Sequence, residues 1–136
     1  MIRQRLYLPR YRWDVLVFYD TSSHDAGEIL GEIESRGADD GTLHRAAHNL
    51  RGGLTDTGLT YTNARERCTI IALSEASSRA EFANTWFHEV LHAAVHIGDA
   101  NGLDEHGEAV AYVGGELARA MQPVAARLMC PQCECK

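Results

Sequence analysis

The sequence predicts an α+β fold, a short and mainly antiparallel sheet packed on helices. Three observations predict it: an aromatic-rich run near the N-terminus, two β-favouring runs joined by a short turn in mid-chain, and four stretches whose apolar residues recur at helical spacing. With 136 residues the chain is one domain by length, large enough to bury a core without disulfides. Its 45% hydrophobic and 24% charged residues suit a soluble protein, and no apolar run reaches the length of a membrane span.

Tyr11 to Tyr19 is rich in aromatic and β-branched residues and ends at the turn and cap cluster Asp20-Thr21-Ser22-Ser23, so it reads as the first strand. From Ser23 to Arg36, Ala26, Ile29, Leu30 and Ile33 fall on one helical face, and Gly37 supplies a C-terminal stop. A second helix is expected from Asp40 to Leu50, before Gly52-Gly53. Leu59 to Thr62 and Cys68 to Leu73 read as two strands of a hairpin with its turn at Asn63 to Glu66. Ser78, with Glu81 three residues on, forms a capping box that opens a long helix. Phe82, Trp86, Val90, Ala93 and Ile97 anchor that helix, and Gly98 to Gly102 ends it. A last helix runs from Asp104 to Met121 and stops before Pro123, with Val124 to Met129 extending it past a kink. The expected order is strand, helix, helix, two strands, helix, helix.

The long helix carries His88-Glu89-Val90-Leu91-His92, an H-E-x-x-H motif. Residues four apart on a helix lie one above the other, so the two imidazoles can converge on one metal ion. Glu89 falls at the edge of that face, where its carboxylate can take a proton from a water on the metal, whose pKa zinc lowers from about 16 toward 7. Seven histidines in a short chain can produce such spacing by accident, so the residues that follow must decide.

Catalytic zinc needs three protein ligands and an open position. His96 continues the four-residue spacing, but eight residues of helix rise about 12 Å, beyond what bonds of about 2 Å can bridge from His88; it is expected to pack or to act behind the ligands. The extended metzincin motif fails, because Val95 and Gly98 stand where it needs glycine and the third histidine. The next helix offers Glu105, His106 and Glu108 after a glycine-containing turn. Glu108 is the expected third ligand, with Glu105 its main rival and His106 third. Tyr112 or His106 is the expected hydrogen-bond donor to a developing oxyanion.

The segment from Asn84 to Leu117 joins Asn-Thr-x-x-His-Glu-x-x-His to a downstream Glu-x-x-Ala-Tyr-x-x-Gly. In this it resembles the small H-E-x-x-H proteins of bacteriophages and prophages described as metallopeptidases, and more distantly the gluzincins and the ImmA/IrrE metallopeptidases. The resemblance covers about a quarter of the chain. It implies a small zincin-like domain over 1–129, in which a glutamate-bearing helix follows the metal helix. It also implies a Zn2+ held by His88, His92 and Glu108, with Glu89 as base, and a peptide-cleaving activity in a phage or host setting.

Other features bound this reading. A net charge of -6 argues against nucleic acid as the main partner; Arg3, Arg5, Arg10 and Arg12 read as a solvated strand edge. No signal-peptide pattern opens the chain, which places it in the cytoplasm. Expected partners are a protein or peptide substrate, with no membrane. Cys130, Cys133 and Cys135 lie in a cysteine-containing tail at 130–136, in which the C-x-x-C pair Cys130 and Cys133 has the spacing of half a closed zinc site. His44 and His48 share a metal pair's spacing without an intervening glutamate. The strand at Cys68 to Ser74 is the expected sheet edge for an added peptide strand. The alternative to a hydrolase is a zinc-binding but catalytically silent assembly or regulatory module.

Overall fold

The computed structural model describes residues 1–130. Four strands, β1 (Ile2–Leu8), β2 (Trp13–Thr21), β3 (Gly58–Asn63) and β4 (Cys68–Ser74), form one sheet in the order β1-β2-β4-β3. The outer pairs are antiparallel and the central β2·β4 pair is parallel, so the α+β class and the mostly antiparallel sheet are observed. The helices are α1 (Ala26–Ser35), entered through a 3-10 turn at Ser23–Asp25, α2 (Asp40–Arg51), α3 (Arg79–Ala100) and α4 (Glu108–Met129).

β2 and β4 are buried on both faces, as their continuous apolar runs require. Val15, Val17, Tyr19, Ile71 and Leu73 meet Val90, Ala93, Ile97, Val113, Leu117 and Met121 of α3 and α4. Leu16, Phe18, Ile70 and Ala72 meet Ile29, Ile33, Ala46 and Leu50 of α1 and α2. Thus α3 and α4 cover one face of the sheet, and α1 and α2 the other.

β1 is an additional strand. Its sequence alternates inward Ile2, Gln4, Leu6 and Leu8 with outward Arg3, Arg5 and Tyr7. Gln4 disguises that period, yet its amide is satisfied: Tyr19 donates to Oε1 at 2.6 Å and Nε2 donates to the Ala120 carbonyl at 3.2 Å. Two of the arginines are spent within the fold, Arg3 on Glu28 and Glu32 of α1 and Arg10 on Glu116.

The start of the last helix differs from expectation. α4 begins at Glu108 because residues 104–107 form a turn in which Gly107 N donates to the Asp104 carbonyl and the Asp104 carboxylate caps His106 N. Pro123 lies inside α4, which continues to Met129. No helix among the described residues is long and apolar enough to cross a membrane. Cys133 and Cys135 lie outside the described residues.

Candidate metal centre

Ser78 caps α3 as expected, its hydroxyl accepting from Glu81 N at 3.1 Å, and this fixes the register of the helix that carries the motif. His88 and His92 both lie on its exposed side. Their Nε2 atoms are 3.0 Å apart, with the rings edge to face and centroids 4.6 Å apart. Two zinc–nitrogen bonds near 2 Å at a tetrahedral angle separate their nitrogens by about 3.3 Å. The pair therefore presents two imidazole nitrogens at the spacing of a shared ion.

Glu89 points the other way, under the sheet edge, and is only 5% exposed. Its Oε2 accepts a 2.5 Å hydrogen bond from Thr60 Oγ1, and its Oε1 stays 3.9 Å from His88 Nε2. The carboxylate is thus held near His88 by a strand residue. Gly58 makes the room: a Cβ there would lie 2.5 Å from Glu89 Cγ and 2.7 Å from Oε1. Neither Gly58 nor Thr60 is legible as a site residue in the sequence, where the run reads only as a β-strand.

His96 faces β3 as well, with Nδ1 3.0 Å from Thr62 Oγ1. Thr62 contacts Thr69 Oγ1 at 2.9 Å, and Thr69 accepts from Trp13 Nε1 at 2.9 Å. Burial, and then the charge of neighbouring His92, holds the His96 imidazole below its ordinary value. His96 packs behind the exposed pair, tied into the sheet.

The third ligand is where structure and expectation part. Gly98 packs against Val110, and Gly114 against Ala94, so α4 runs antiparallel to α3 with its first turn beside α3's last turn. Extrapolating that register puts Glu108 level with Ala100, eight residues or about 12 Å of helix beyond His92. Glu105 and His106 precede it in the turn, side by side at 3.6 Å and exposed. Tyr112 is level with His96 and 59% exposed on α4. The structure therefore groups none of Glu108, Glu105 and His106 with the histidine pair as a metal-holding set. At the level of His92 stands Glu116, whose carboxylate pairs with Arg10 at 3.2 Å. Among the described residues no group of three His, Cys, Asp or Glu side chains is placed to hold a metal.

The sheet edge also differs from expectation. β4 lies between β2 and β3, so its backbone groups are taken on both sides and it offers no edge; the edge above α3 is β3. Ser74 N donates to the Thr57 carbonyl, which sets the alternation: Leu59, Tyr61 and Asn63 bond to β4, while Gly58, Thr60 and Thr62 turn their N–H and C=O groups outward. In agreement, the Asn49 amide approaches the Gly58 carbonyl from outside at 3.5 Å. Beside this edge lies a cleft of about 320 Å³ lined by Asn49, Asp56, Thr57, Gly58, Asn84, Thr85, His88 and Glu89.

Compared with protein-family models, with curated proteins and with solved structures, the chain matches none.

Proposed function

We propose that the chain is a zinc-dependent hydrolase that cleaves peptide bonds, with His88 and His92 as two of the metal ligands and Glu89 as the general base. The observation that carries this reading is the 3.0 Å approach of the two Nε2 atoms beside a buried carboxylate. Bound zinc supplies Lewis acidity to a water molecule and to the scissile carbonyl. Glu89 takes the proton as water oxygen attacks the carbonyl carbon, then passes it to the amine as the C–N bond breaks, leaving a carboxylic acid and a free amine. Because Thr60 fixes Oε2, Oε1 is the proton-carrying atom. Outward groups at Gly58, Thr60 and Thr62 suit an extended substrate strand laid across the cleft. Asn49 and Asn84 also line that cleft. This reading places the work in the cytoplasm.

A second reading has its own support. His88 and His92 share an exposed face with Phe87, 59% exposed, and Leu91, 48% exposed, and no third ligand stands near them among the described residues. Such a face suits a zinc-binding module whose remaining ligands come from a partner, without catalysis. Zinc content by mass spectrometry and cleavage of a mixed peptide library separate the two. For a hydrolase, Glu89→Gln keeps about one zinc per chain and loses cleavage, and His92→Ala loses both. Zinc binding by the unaltered chain with no cleaved peptide would overturn the hydrolase reading in favour of the module.

A further inference from the structure

We propose that α2 forms the specificity wall of this cleft and that the substrate is an extended polypeptide with an acidic side chain next to the reacting bond, seated on Arg51, His44 and His48. The proposal rests on the peptidase reading and adds the substrate class.

Three observations lead to it. First, the cleft at His88 and Glu89 adjoins a larger groove of about 790 Å³ on α2, with Asn49 and Thr57 lining both. That groove is formed by His44, Ala47, His48, Arg51 and Leu54 together with the Gly52 turn. Secondly, the geometry of an added strand distributes its side chains. β3 sends Thr60 and Thr62 toward α3, where they meet Glu89 and His96, and sends Leu59 and Tyr61 toward the α1 and α2 side. A strand paired on the same edge alternates in the same way, so the residue that presents its side chain to His88 and Glu89 has neighbours, about 3.3 Å along the chain, that face α2.

Thirdly, the groove has the chemistry of a carboxylate site with an apolar approach. Arg51 carries a fixed positive charge and a fork of donors, the two imidazoles add N–H groups, and Ala47 and Leu54 offer surface to a methylene stem. Arg51, His44 and His48 join no ion pair among the described residues, in contrast to Arg3, Arg10 and Arg36. After Asp40, α2 carries no carboxylate. The one carboxylate of the α2–β3 connection that lines the adjoining cleft, Asp56, is occupied by Ser77 through N at 2.8 Å and Oγ at 2.6 Å.

The chain as a whole carries a net charge of -6, so bulk electrostatics favour a basic ligand. A preference for an acidic one must therefore be local. The test uses the full chain bearing Glu89→Gln and two fluorescein-labelled peptides of about ten residues, valine alternating with glutamate in one and with lysine in the other. Fluorescence anisotropy in about 0.15 M salt is recorded with zinc and with a chelator. The glutamate peptide is expected to bind at least about tenfold more tightly than the lysine peptide. Arg51→Glu should abolish or invert that preference, and Arg51→Lys should retain most of it. Equal binding of the two peptides, or a preference unchanged in a folded Arg51→Glu protein, would overturn the proposal. Binding requires no cleavage, so failure here is distinct from failure of the hydrolase reading, which is judged on zinc content and cleavage.

Discussion

Replacing Thr60 by valine keeps the shape of the side chain and deletes the hydroxyl that donates to Glu89 Oε2 at 2.5 Å. Glu89 is 5% exposed, so water can restore little of what is lost. A hydrogen bond to a charged group contributes about 1.5–3 kcal/mol net, and a buried acceptor left alone costs the same order. Thr60→Val is therefore expected to destabilise the fold by about 2 kcal/mol, a fall in melting temperature of about 5–10 °C for a domain of this size. Thr60→Ser should recover most of it. The effect belongs to the pair only if it depends on the carboxylate, which a double-mutant cycle with Glu89→Met measures. Valine beside methionine leaves two apolar groups, so the double variant should be more stable than the sum of the single losses by at least about 1 kcal/mol. Urea unfolding followed by circular dichroism gives all four corners without knowledge of a substrate. A coupling near zero would refute the assignment of Thr60 as the residue that holds Glu89.

Further expectations follow from the same geometry. Gly58→Ala places a methyl 2.5 Å from Glu89 Cγ, so it should displace the carboxylate, lower cleavage at least about tenfold, and leave zinc binding within about twofold of the unaltered chain; equal cleavage by the two proteins would argue that Glu89 is not the base. Glu108→Ala should leave zinc affinity unchanged by metal titration, because α4 carries residue 108 past the pair, and a tenfold loss would show that the helix repositions on binding metal. Hydrogen bonding and the charge of Arg36, with a smaller share from Arg3, hold the Glu32 carboxyl below its ordinary range despite an opposing contribution from burial. Its stabilisation is then present above the unfolded value of about 4.3 and is lost as pH falls through the lower folded value. Glu32→Gln should cost about 0.5–1 kcal/mol at neutral pH, with a deficit that shrinks toward pH 3 in urea unfolding. A deficit independent of pH would remove the ion pairs as its cause.

The elements that the sequence made legible are those in which local pattern and tertiary role agree. α3 declared itself through Ser78, Glu81 and its apolar spacing, and Phe82, Val90, Ala93 and Ile97 are indeed buried. β2 and β4 are read within a few residues of their bounds because strands covered on both faces must be apolar throughout. β1 was not legible because Gln4, an inward residue satisfied by Tyr19 and Ala120, breaks the apolar alternation that marks a strand. Of the candidate site, the histidine pair and Glu89 could be read because helical spacing alone sets them. Thr60 and Gly58 could not: a threonine or glycine in a strand acquires a role only when the sheet order is known. That order placed β3, and not β4, at the edge.

The misplaced third ligand has a general physical origin. A tight turn reverses direction, so the second helix of an antiparallel pair begins beside the end of the first. A residue in its opening turn can reach only the last turn of its partner. The motif lies in the middle of α3, with His92 eight residues before the helix ends at Ala100. A ligand from α4 must then come from about eight residues into that helix, and the Val110–Gly98 and Gly114–Ala94 contacts locate this level at Glu116. Glu116 is the wrong residue for the resemblance and, paired with Arg10, is already committed. The helical spacing of the histidines does not depend on that register, whereas the reach from α4 depends on the length of helix between motif and turn. The spacing of His88 and His92 and the seating of Glu89 against Thr60 are thus local to α3 and β3, whereas any third group must reach them from outside α3.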